Sequence, residues 1–78
     1  MAWEAVERLL AEMSTAQDAK VLALARRIVP RLTPEDLRNP HDFPSLMESP
    51  EFNYEDGVLA GLRAAEMAVR AARRKEEK

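Results

Sequence analysis

NPHDFPSLMESPEFNYEDG, residues 39–57, decides how this chain is read. It holds three of the four aromatic side chains, the single histidine and three of the five prolines, yet it lies between two alanine-rich stretches of helix formers. Asn39-Pro40, Asp42-Phe43-Pro44 and Ser49-Pro50-Glu51 each set a short polar side chain next to a proline or one residue further off, an arrangement that opens a turn of helix. The stretch therefore reads as successive single turns, with Phe43, Leu46, Met47 and Phe52 directed inward. Connectors longer than about a dozen residues are uncommon in compact domains unless they are functional or pack on themselves. Four large apolar side chains favour self-packing.

Upstream, residues 2–29 contain no glycine or proline. Trp3, Val6, Leu10 and Met13 recur at helical spacing with Leu9 beside them, and Val21, Leu24, Ala25 and Ile28 form a second stripe rotated from the first. Between the stripes, Ser14 with Gln17 and Thr15 with Asp18 have the form of capping boxes. The spacing predicts two helices, about 2–12 and 15–29, with one long kinked helix as the alternative. Pro30 ends the second, and Thr33-Pro34-Glu35-Asp36 starts a further turn that Asn39-Pro40 closes.

Downstream, the strongest helical pattern runs from Tyr54 or slightly earlier to about Arg74, with Val58, Leu59, Leu62, Ala65, Met67 and Val69 as apolar positions. Residues 73–78 are expected to fray. The fold class that follows is all-α in a single domain, 1–78: two short N-terminal helices, a proline-rich run of short turns and a long C-terminal helix.

The core is thin. Of 36 hydrophobic residues, 13 are alanine, and a chain of 78 residues buries a small fraction of its surface. With no cysteine, disulfides, thiolate metal sites and cysteine nucleophiles are excluded together. Extra burial between chains is the expected remedy, which makes a homodimer the leading partner expectation. No apolar run is long enough to cross a bilayer, and MAWEAVERLL lacks the form of a signal peptide, so a cytoplasmic protein is expected. Arginine outnumbers lysine nine to three, and asparagine and glutamine total three, a bias that suits a thermostable protein.

Charge is distributed unevenly. Residues 1–29 carry four acids and four bases, residues 30–57 seven acids and two arginines, and residues 58–78 three acids and six bases. The middle is acidic and the last helix basic, so the two can attract within or between chains.

Three sets of residues are candidates for function. Gly57 and Gly61, followed by Ala65, Ala68 and Ala72, form a small-residue strip that would let a helix approach closely, either one from the same chain or one from a second copy. Phe43, Phe52, Tyr54 and the distant Trp3 are expected to form one aromatic lid over the helices, the other reading being an open groove for a protein partner. Arg70, Arg73 and Arg74 are the candidate contacts for nucleic acid, which the acidic middle opposes and which no interleaved aromatics accompany.

Catalytic signatures are missing from the sequence: no phosphate loop, nucleophile elbow or zinc-binding histidine pair. His41, Glu55 and Asp56 could join in a metal or hydrolase site only if the fold made them converge, and no cofactor or metal is expected. The reading reached is a small non-enzymatic helical protein that acts by protein–protein interaction as a homodimer. A nucleic-acid accessory role is the alternative.

Overall fold

The computed structural model describes residues 2–77. Helix α1 (Trp3–Ile28) is followed by 3-10 turns at Asp36–Arg38 and Pro40–Asp42, the single-turn α2 (Pro44–Met47) and the long α3 (Pro50–Glu76). The described residues are all helix, turn and coil, with no strand, so the all-α class holds. The helices α1 and α3 lie antiparallel along each other, and the hairpin they form measures 46 × 20 × 18 Å.

The N-terminal region departs from expectation. Residues 3–28 form one continuous helix, with no break at Ser14–Asp18. The apparent capping residues are used elsewhere: Ser14 donates to the Glu66 carboxylate, and Gln17 donates to the backbone oxygen and carboxylate of Glu55, both at 2.9 Å. Polar side chains in mid-helix that bond across to a neighbour do not compete for their own backbone. Without glycine or proline nothing else interrupts the ladder.

The connector behaves largely as its prolines dictate. Thr33 and Asp36 bond reciprocally, each backbone N–H donating to the other's side-chain oxygen at 3.1 Å. Pro40, Pro44 and Pro50 each occupy the first turn of a helical element. Ser49 is the one side-chain cap among those elements, its hydroxyl accepting from Phe52 N–H at 3.1 Å. Because Ser49 caps the helix and Pro50 suits its first turn, α3 starts at Pro50, a turn earlier than Tyr54.

The core sits entirely at the connector end. Val21, Leu24 and Ala25 from α1, Leu32, Leu46 from α2, and Phe52 and Leu59 from α3 are buried together, with Leu22, Ile28, Val29, Leu37 and Phe43 packed against them. Arg26 fastens the connector to α1 by donating from Nε to the Leu32 carbonyl at 2.8 Å. Met47 faces solvent, against expectation. Leu46 already points inward, and in a single helical turn the next residue is rotated by about 100°.

The far end of α3 is joined to the start of α1 by ion pairs. The helix extends through Glu76. Arg73 bonds Glu4 at 3.1 Å and Glu77 at 3.2 Å, and is held closely by Glu7. These bonds tie the last turns of α3 to the first turns of α1.

Candidate functional site

Between the apolar core and the Arg73 clamp, the seam between the helices mixes polar and apolar groups, with Leu10 and Trp3 of α1 and Leu62 and Val69 of α3 half-buried among the polar side chains. Continuing the α1 face that carries Val21 toward its N-terminus brings Gln17, Ser14, Leu10, Glu7 and Trp3 to the seam at successive steps of three or four residues. On α3 the matching groups are Glu55, Glu66 and Arg73. The Glu7 pairing raises the Arg73 pKa, with a further contribution from Glu77.

Glu55 is held below the ordinary glutamate value, first by the Gln17 amide and then by Lys20 at 3.1 Å. A carboxylate depressed in the folded state contributes stability that is present above its unfolded pKa of about 4.3 and lost as pH falls through the lower folded value. Glu55→Gln is therefore expected to lower the urea midpoint above about pH 5 and to converge on the parent protein once pH has fallen below the depressed folded value. A pH series of urea titrations checks this; parallel curves at every pH would contradict it.

Two ion pairs distinguish the flanks of the hairpin. Lys20–Glu55 bridges one side, and Asp18–Arg63, at 3.4 Å, bridges the other. On the Asp18–Arg63 side a groove is lined by Ser14, Thr15, Glu66, Met67 and Arg70. At about 100° per residue, the opposite flank carries Leu9, Met13 and Ala16 from α1 and Val58, Gly61 and Ala65 from α3, with the half-buried Val6 and Val69 at its edge toward the seam. Leu9 is 57% exposed and Met13 46%, with Val58 also open to solvent. From Ala2 to Ala16 and from Val58 to Ala72 this flank holds no charged residue; Lys20, Arg27 and Glu51 appear only toward the connector.

The small-residue strip is not the seam between α1 and α3. A methyl group added at Gly57 or Gly61 would meet nothing within 4 Å, and Ala68 and Ala72 are exposed; Ala65 alone is half-buried. Packing against a helix of the same chain is therefore ruled out for the two glycines. Since α3 is straight helix there with no positive φ, each glycine costs helix stability with no conformational need. Gly57→Ala is expected to stabilise the protein by about 0.8–1 kcal/mol and raise its Tm by roughly 4–8 °C. An unchanged or lowered Tm would show that the position is crowded in the assembled protein.

The aromatic lid forms in part. Phe52 is fully buried and Phe43 half-buried at the connector end, but Tyr54 is 70% exposed and Trp3 lies at the other end of α1. Trp3 is 18 residues before Val21, or about 27 Å along the helix, so the four are not one cluster. Tyr54 projects on the side of α3 that leads into Val58 and Gly61.

The remaining candidates are separated. Arg73 is occupied by three carboxylates, while Arg70 and Arg74 make no ion pair among the described residues. His41 is exposed with Asp42 at 3.9 Å, and Glu55 turns to Gln17 and Lys20, so His41, Glu55 and Asp56 do not come together. A cleft of about 370 Å³ between the connector and the helices has Leu22, Leu37 and Leu59 as apolar lining and Asp18, Asp56, Arg38 and Arg63 around it. Its opposite charges are partly matched already by the Asp18–Arg63 pair. No family model, curated protein or solved structure matches the chain.

Proposed function

We propose that this protein is a non-enzymatic helical module that works through protein–protein contact, and that its working form is a homodimer. The observation that carries the reading is the uncharged, apolar flank on the Lys20–Glu55 side of the hairpin, with Leu9 and Met13 about half exposed. Large apolar side chains that adjoin one another on a solvated surface mark interaction sites when their rims are polar. Here Lys20, Arg27 and Glu51 bound the patch at the connector end and Glu76 at the other.

Composition adds support. A chain in which alanine fills much of each helix gains stability chiefly by adding surface from a second molecule, and homodimers are the commonest closed assembly. Sedimentation at micromolar concentration is expected to give twice the 8.8 kDa chain mass. A single species of monomer mass would overturn the reading.

A further inference from the structure

We propose that two copies pair through the apolar flank with their connectors at opposite ends, forming a four-helix bundle whose two-fold axis crosses at Met13 and at the Ala65–Ala68 turn. This geometry rests on the self-association argued above and specifies it.

Surface area supplies the first support. A compact monomer of this mass would expose about 4,800 Å², whereas this chain exposes 5633 Å². The excess, on the order of 800 Å², matches one partner's share of a standard-sized interface. An axis at Met13 lays the uncharged spans over each other for about two turns on α1, residues 9–16, and about three on α3, residues 61–72, with Val6 level with the partner's Lys20 at the edge.

Shape gives the second. On α1 the flank carries the bulky Leu9 and Met13 with Val6 at its edge, and on α3 it passes from Val58 to the small rim of Gly61, Ala65, Ala68 and Ala72. The Ser14–Glu66 and Glu7–Arg73 contacts fix the register between the helices, so Met13 stands level with the Ala65–Ala68 turn. A two-fold axis at that level sets α1 against α1 and α3 against α3. Met13 then meets its counterpart, Leu9 lies over the small Ala16, and Gly61 opposes Ala72. Small residues facing each other permit the α3 pair to approach at the short end of the usual 8–10 Å range.

Charge selects the orientation. Residues 30–57 carry seven acids against two arginines, so setting two connectors at the same end would place like charges together. With connectors at opposite ends, each acidic connector lies instead at the end where the partner's basic last turns of α3 are found.

The chain has no cysteine, so one introduced thiol reports its own neighbours. Met13→Cys, oxidised at micromolar concentration and run without reductant, is expected to convert mostly to a disulfide-linked dimer, because facing helices at this spacing bring Cα atoms into disulfide range. Met67→Cys, at a more exposed position on the other flank, is expected to yield at least tenfold less. Circular dichroism of both variants checks that the helices are intact. If sedimentation gives a dimer but Met13→Cys does not cross-link, while a mixture of Met13→Cys and Ala68→Cys chains forms the mixed disulfide, the connectors lie together and this geometry is wrong though the dimer stands. Equal cross-linking of the Met13 and Met67 variants would mean random collision and would overturn the geometry as well. A monomer in sedimentation would remove both.

Discussion

Phe52→Ala is expected to cost about 3–5 kcal/mol, out of roughly 4–12 kcal/mol available to a chain of this length. Phe52 is the largest fully buried side chain, and it stands where α1, α2 and α3 meet the connector. Few other bulky groups are there to close the cavity, because among the described residues the apolar core contains seven buried side chains, one of them alanine. Thermal unfolding should therefore begin far below that of the parent, with loss of helical signal on both α1 and α3. The contrast is Tyr54→Ala, two residues away on the exposed side, where a change within about 0.5 kcal/mol is expected in the monomer. Comparable losses from the two substitutions would mean that the division between buried and exposed aromatics is mistaken.

Leu9→Glu is expected to weaken self-association by at least about 100-fold. Each dimer loses two partly exposed leucines from its contact, and burying the remainder of such side chains is worth about 1–1.5 kcal/mol apiece, or about 2–3 kcal/mol together. At about 1.4 kcal/mol per tenfold, that alone approaches the stated effect, and two carboxylates drawn into an apolar contact add to it. The hairpin itself should survive, since Leu9 is outside the core and glutamate is a good helix former. Sedimentation equilibrium measures the change, and circular dichroism confirms the helix. Retention of the parent's dissociation constant would place the contact elsewhere.

Much of the fold is legible in the residues themselves. Pro30, Pro40, Pro44 and Pro50 break the chain at defined points whatever surrounds them, because each fixes its own φ and lacks a donor. Ser49 before Pro50, and Thr33 before Pro34, mark starts that the structure uses. The error in α1 has an equally local cause. Ser14 and Gln17 have the form of a cap, and only the presence of Glu66 and Glu55 across the seam shows that their hydrogen bonds leave the helix. Had the Val21 stripe been extended backwards in a single helical frame, Gln17, Ser14 and Glu7 would have fallen on the seam. Leu9 and Met13 would then have been displaced from it to the flank.

The candidate surface was less legible for the same reason. Gly57 and Gly61 announce a row of small residues, but spacing on one helix says nothing of which side faces α1. Trp3 and Tyr54 have the chemistry of core aromatics, and nothing in their immediate neighbours reveals that one lies at the open end and the other in solvent.

By itself, the order of residues determined the all-α class, the broken connector, the absence of thiol chemistry and the separation of an acidic middle from a basic last helix. These depend on backbone restriction, composition and charge, which act locally or need only be counted. Tertiary structure alone decided that α1 is continuous, that its apolar core is confined to one end, that the glycines face outward and that Leu9 and Met13 remain uncovered. Each of those depends on the rotation of one helix about its axis relative to another, a quantity fixed by long-range contacts such as Ser14–Glu66 and Glu7–Arg73.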